Sequence, residues 1–182
     1  MTEQIIIAGF GGQGVMSMGQ MLAYAGMHED RHVSWLPSYG PEMRGGTANC
    51  HVVLSDEPVA SPIVAQADAV IALNRPSLDK YESCVRPGGR LFINSSLIDR
   101  GAKRDDIEVY KIPANEIAAE IGNARVAGMT MLGAYLAASG AVPIESVLES
   151  LLKVLGEKKA KLVPANRLAL ERGAALAGQS NR

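Results

Sequence analysis

Cysteine is scarce in these 182 residues: Cys50 and Cys84 are far apart and form no C-x-x-C pair, so neither a cluster or zinc motif nor a disulfide framework is written into the chain. Net charge is nearly absent at −1, with a sequence pI near 6.3, and no field exists to attract a polyanion such as nucleic acid. The longest charged run, Glu157 to Lys161, reads as a solvated helix end or loop. No apolar stretch approaches bilayer length, and the opening MTEQ lacks the basic start of a signal peptide, so the expected location is the cytoplasm. Aromatics make up 4% of the chain, whereas methionines are plentiful and four of the eight fall between Met16 and Met27. At this length one globular unit, residues 1–182, is expected.

What is present begins with IIIAGFGGQG. The β-branched run Ile5 to Ile7 leads into Gly9, Gly11, Gly12, Gln13 and Gly14, matching G-x-G-x-x-G between a strand and a helix. Glycines there accept positive φ and leave amide N–H groups uncovered at the positive end of a helix dipole. Val15, Met18, Leu22 and Ala25 recur at helical spacing, predicting a helix from about Gln13 to Met27. Strands are expected at His32–Leu36, Thr47–Leu54, Ala69–Leu73, Arg90–Asn94 and, more weakly patterned, Ile107–Ile112. Helices are expected from Pro76 to about Cys84, Pro113 to Ile121, Gly128 to Ser139, behind Pro143, and from Pro164 to Leu176. The order implies an α/β, three-layer Rossmann-like domain with a mainly parallel or mixed sheet, helices on both faces and a helical C-terminal third.

Parallel strands would gather at their carboxyl ends the glycine loop, the segment Ser38-Tyr39-Gly40-Pro41-Glu42-Met43-Arg44-Gly45-Gly46, Asn74-Arg75 and Asn94-Ser95-Ser96. That inventory of amides, hydroxyls and two arginines has Glu42 as its one carboxylate. It suits holding an anion or a neighbouring chain better than proton transfer. The loop Ser38 to Gly46 is stiffened by proline and glycine and carries Tyr39, Met43 and Arg44, types favoured at interfaces. A dinucleotide site also needs an acid at the end of the second strand, where this chain has Ser34-Trp35-Leu36-Pro37-Ser38. Its absence counts against NAD. His28-Glu29-Asp30-Arg31-His32 spells H-E-x-x-H, but it straddles a helix end and a strand start, which would aim the two rings in unrelated directions. His51 lies in a strand as a packed histidine, Ser17 lacks a nucleophile elbow, and the glycine loop lacks the Walker lysine.

Two motifs together, GFGGQG and SYGPEMRGG, followed by VVLSDEPV and LGAYLAASG, resemble the γ subunit of 2-oxoacid:ferredoxin oxidoreductases from Gln4 to about Gly173. One departure is near Gly128-Met129, where relatives often carry an asparagine. The resemblance implies a complex that oxidatively decarboxylates a 2-oxoacid, of the 2-oxoglutarate or branched-chain 2-oxoisovalerate type. The acyl group would pass to coenzyme A and the electrons to ferredoxin. Thiamine diphosphate would lie between α and β subunits and iron–sulfur clusters in β or δ chains, with no cofactor bound by this chain alone and no catalytic residue in it. Gly9 to Gly14 and Ser38 to Gly46 would then contact the α chain, with Arg44 as a bidentate partner for a carboxylate. Arg44 or Arg75 would be the candidates for coenzyme A phosphates. The competing readings are a free-standing NAD(P)-dependent oxidoreductase and a homodimeric scaffold.

Overall fold

The computed structural model describes residues 1–39 and 47–180. Its centre is β1 (Thr2–Phe10), whose Ile5, Ile6 and Ile7 are each at most 1% exposed, so the strand is covered on both faces. The other strands are β2 (His32–Tyr39), β3 (Thr47–Ser55), β4 (Ala67–Ala72), β5 (Val85–Asn94) and β6 (Glu108–Ile112). They form one six-stranded sheet in the order β2-β3-β1-β4-β5-β6. β1, β4, β5 and β6 pair in parallel, while β3 runs antiparallel to both β1 and β2. Five strands therefore point one way and β3 alone is reversed. The sheet is mixed, and the expected gathering of carboxyl ends still holds, because β3 starts at the edge where the others finish.

Helices α1 (Val15–His28), α3 (Ala114–Ile121), α4 (Ala127–Ser139), α5 (Ile144–Leu155) and α6 (Val163–Ser180) contribute to the larger core, built on Ile5, Ile7, Val52, Leu54, Ile71 and Phe92. The opposite face, with Ile6, Val53, Val70, Leu91 and Ile93, is covered by the short α2 (Arg75–Tyr81) through Leu78 and by intervening loops. Helices on both faces were expected; their division is five to one. Alternation along each strand sends odd and even residues to opposite faces, which is why the same isoleucine run serves both cores.

α4 is buried from Gly128 to Leu136, nine consecutive residues, as the central helix of the C-terminal layer. Its small residues let α6 come close: a Cβ on Gly133 would lie 2.0 Å from the Leu170 carbonyl oxygen, and one on Gly173 would lie 1.9 Å from that of Thr130. Three of the few aromatics close this layer on the sheet, Phe92 stacking on Tyr110 at 4.8 Å and meeting Tyr135 edge-on at 5.9 Å. No helix among the described residues is long and apolar enough to cross a membrane.

Candidate anion-receptive cleft

The glycine turn is shaped by backbone demands. Gly12 and Gly14 hold φ of 92° and 82°, left-handed values that β-carbon-bearing residues adopt at a cost. Gly9 is required by contact instead: a Cβ there would stand 2.7 Å from Gln13 Oε1 and 3.0 Å from Leu73 Cβ. Gln13 clips the turn shut, its Oε1 accepting from the Phe10 amide at 2.6 Å and from Asn74 Nδ2 at 3.3 Å. Helix α1 starts at Val15, two residues later than the periodicity suggests, because left-handed Gly14 is its N-cap. No side chain caps it and its first turn holds no acid, so its leading N–H groups have neither helical nor side-chain partners.

These groups border a cleft of ≈ 400 Å³. Its walls come from the glycine turn (Gly12, Gln13, Gly14), the start of α1 (Ser17, Met18, Met21), Leu73 and Asn94 at the strand ends, and Asn115 at the start of α3. The turn leading into α4 (Asn123 to Val126) and the segment Leu155 to Asn166 close the other side. Among its described lining residues there is no carboxylate. Arg125 and Lys159 supply positive charge, and neither is in an ion pair within the described residues. Met18, Met21, Leu73, Met129 and Leu162 provide apolar walls.

The asparagines divide into fixed and unfulfilled groups. Asn74 caps α2, its Oδ1 accepting from the Ser77 amide at 2.9 Å, and Asn123 Oδ1 accepts from the Arg125 amide at 3.1 Å. Asn94, 1% exposed at the end of β5, donates through Nδ2 to Leu73 O at 3.3 Å and to Asn115 Oδ1 at 2.8 Å. Its own Oδ1 has no hydrogen-bond partner. Ser96 faces the start of α3, its Oγ accepting from the Asn115 and Glu116 amides at 3.1 and 3.3 Å.

Several residues expected at this edge are placed differently. Arg75 points to the other side, pairing with Asp99 at 2.9 Å and Asp79 at 3.8 Å, and it does not line the cleft. Ser38 and Tyr39 end β2, exposed, with Tyr39 paired to Ala48 and Ala48 to Gly9. Gly40, Glu42, Arg44, Gly45 and Gly46 lie outside the described residues; Gly11 is exposed beside the glycine turn. The residues missed by sequence reasoning are Arg125, Lys159, Asn115, Asn123 and Asn166. Asn115 follows the end of β6, so extending the carboxyl-edge argument to the sixth strand would have found it. At Gly128, a Cβ would lie 2.9 Å from Met18 Sδ and 3.5 Å from the Gln13 carbonyl, which places this position beside the cleft.

Titratable chemistry lies elsewhere. Burial pushes the Cys50 thiol up to about 12, and its Sγ donates to Val15 O, which makes it inert. Burial lowers His51, whose Nδ1 accepts from the Val64 amide at 2.9 Å, a structural role for a neutral ring. His28 ends α1 and pairs with Glu149 at 2.6 Å, whereas His32 opens β2, so the H-E-x-x-H pattern is split between two elements.

The dinucleotide reading meets a second obstacle. β3 stands between β1 and β2, so the end of β2 is two strand spacings, about 9–10 Å, from the glycine turn. In the sheet order that serves dinucleotides, the second strand adjoins the first.

A lone reversed strand, a glycine turn over an uncapped helix and a cleft that brings together two cations and no carboxylate among the described residues characterise this mixed-sheet α/β domain. The family described as Pyruvate ferredoxin/flavodoxin oxidoreductase matches residues 4–176, and the chain belongs to it. The chain is 42% identical over 171 residues to the ketoisovalerate oxidoreductase subunit VorA of Methanothermobacter marburgensis, covering 94% of this chain and 36% of that one. It thus spans about a third (36%) of that relative's length. The crystal structure of the γ subunit of keto/oxoacid ferredoxin oxidoreductase from Geobacter sulfurreducens PCA superposes with a TM-score of 0.82 at 28% identity, covering 97% of this chain and 99% of that one. The structure of 2-oxoglutarate:ferredoxin oxidoreductase from Magnetococcus marinus, with 2-oxoglutarate, coenzyme A and succinyl-CoA bound, shares the fold with a TM-score of 0.89 at 24% identity. There the match covers 98% of this chain and 31% of that one. A free-standing NAD(P)-dependent oxidoreductase is not favoured by this membership.

Proposed function

We propose that this chain is the γ subunit of a cytoplasmic 2-oxoacid:ferredoxin oxidoreductase acting on 2-oxoglutarate or a branched-chain 2-oxoacid. In the complex the substrate is decarboxylated, its acyl group passes to coenzyme A, and the released electron pair reaches ferredoxin. Thiamine diphosphate between the α and β partners and iron–sulfur clusters in β or δ would supply the decarboxylation and electron-transfer chemistry. This chain's own work is to hold the partners and one end of coenzyme A. The observation that carries the coenzyme assignment is the cleft in which the uncapped start of α1, Arg125 and Lys159 come together with no carboxylate among the described lining residues. Phosphate oxygens there would accept from backbone N–H groups and sit between two cations, as anions do at helix N-termini. The apolar walls of Met18, Met21 and Met129 suit a planar base or a pantetheine arm.

The glycine turn and the segment 38–46 form the proposed contact with the α chain, with Arg44 as its charged anchor. Of the described flanks of that segment, Thr47 pairs with Phe10, and Tyr39 pairs with Ala48, which pairs in turn with Gly9. Co-expression with the partner chains, followed by assay of 2-oxoacid-dependent, coenzyme A-dependent ferredoxin reduction, tests the activity. Arg44→Ala is expected to lose the α chain on co-purification; unchanged assembly would remove Arg44 from the contact.

A further inference from the structure

The carboxamide of Asn94 is held in one orientation. Both of its N–H bonds are committed, to Leu73 O at 3.3 Å and Asn115 Oδ1 at 2.8 Å, and a flipped amide would set oxygen against those two acceptors. Its Oδ1 is left without a donor in a residue 1% exposed that lines the cleft. A buried acceptor without a partner is costly to keep, and such exceptions call for a physical account. No neighbouring side chain of the described cleft donates to it.

We infer that Asn94 Oδ1 is a specificity-determining acceptor, completed by an N–H of the occupant whose anionic end lies at the start of α1 beside Arg125 and Lys159. The inference rests on the proposed reading that the cleft takes coenzyme A. Coenzyme A offers such donors in two places, the 6-amino group of adenine and the amides of the pantetheine arm. Either one satisfies the same oxygen. A ligand group that presents a second acceptor, or no polar atom, leaves Oδ1 desolvated and unpaired, and sites built to hydrogen-bond discriminate strongly on that basis. Asn115 is the positioning residue, because its Oδ1 holds the Asn94 amide from turning.

The test is calorimetric titration of the full chain, in its complex, with four probes. They are coenzyme A, adenosine 3′,5′-bisphosphate, the purine riboside 3′,5′-bisphosphate that lacks the 6-amino group, and 4′-phosphopantetheine. The Asn94 side-chain amide signal is followed by NMR in the full chain with the same probes. Adenine as the source predicts at least a tenfold preference for the 6-amino probe, reduced in Asn115→Ala, which leaves Asn94 in place but frees its amide to turn. Pantetheine as the source predicts equal affinity for the two purines, with 4′-phosphopantetheine shifting the Asn94 signal. Coenzyme A binding with no purine preference and no shift of the Asn94 signal by any probe would overturn the inference and leave the coenzyme reading standing. Failure of coenzyme A to bind at all would overturn both.

Discussion

The two ends of the sheet are built on opposite principles. At the amino end, charges satisfy one another: Asp68 accepts from the Gln4 amide at 2.8 Å and pairs with Arg86, while Glu3 sits 3.6 Å from Arg90 and 3.4 Å from the Tyr135 hydroxyl. Arg31 donates to the Leu54 carbonyl at 3.3 Å and pairs with Asp56 at 3.4 Å. At the carboxyl end the cleft is lined, among the described residues, by glycines, amides, the uncapped start of α1 and two cations, with no carboxylate. The amino end is tied largely by pairs within the chain, with Arg31 Nε and Arg90 Nε left without hydrogen-bond partners, whereas the cleft keeps its helix start uncapped and both cations out of ion pairs among the described residues. On the proposed reading, the contrast separates residues that hold the fold from residues that would hold the coenzyme.

Substitutions at the closed end should cost stability and spare binding. The largest effect is expected for Asp68→Ala, which strips the Gln4 amide of its acceptor and Arg86 of its partner in a residue 8% exposed. About 2 kcal/mol of stability should be lost, because Arg86 is half exposed and its share is screened by solvent. Urea unfolding would measure it, with coenzyme A affinity unchanged. At the open end, Gly14→Ala has space for its methyl group but must hold φ of 82°. A loss of about 1 kcal/mol is expected, smaller than at Asp68.

A smaller effect belongs to Glu3, whose carboxyl is raised above 4.5, first by burial and then by Asp68, against opposing pulls from Arg90, Tyr135 and Arg86. A carboxyl raised on folding favours the folded state when protonated. Its contribution is fully present below the unfolded value of 4.5 and is lost as pH rises through the raised folded value. Glu3→Gln, which mimics the protonated form, should therefore lower the slope of stability against pH in that window. Parallel slopes for variant and wild type would blur the picture of a closed end strained by its own burial.

Much of this fold was legible because burial leaves a period in the sequence. The run Ile5–Ile7, the helical spacing from Val15 to Ala25 and the stripe Ile144 to Leu155 mark their elements to within a few residues. Strand direction was not legible. Thr47–Ser55 alternates in the same way whichever way it runs, and only its pairing with β1 reveals the reversal. The end of β4 correctly predicted that Asn74 reaches the glycine turn, but Arg75 follows a carboxylate 24 positions away, at Asp99, which no local pattern announces. Arg125 and Lys159 escaped for a related reason: they reach the cleft from the approach to α4 and from the 3₁₀ segment Glu157–Leu162, and Lys159 looked like part of a solvated charge run. Asn94 was placed at the edge by its strand, whereas its orphaned oxygen depends on Leu73 and Asn115 together.

The most direct test of the open end is calorimetric titration of coenzyme A into the wild-type complex and into one carrying Arg125→Ala and Lys159→Ala in this chain, with a thermal melt of each. Both cations are exposed and free of ion pairs among the described residues, so the melts should coincide within the small range of surface substitutions. Affinity should fall by about tenfold or more, as expected when two charge-assisted phosphate contacts are removed. Equal affinity in the two complexes, with equal melts, would contradict the assignment of this cleft to the coenzyme.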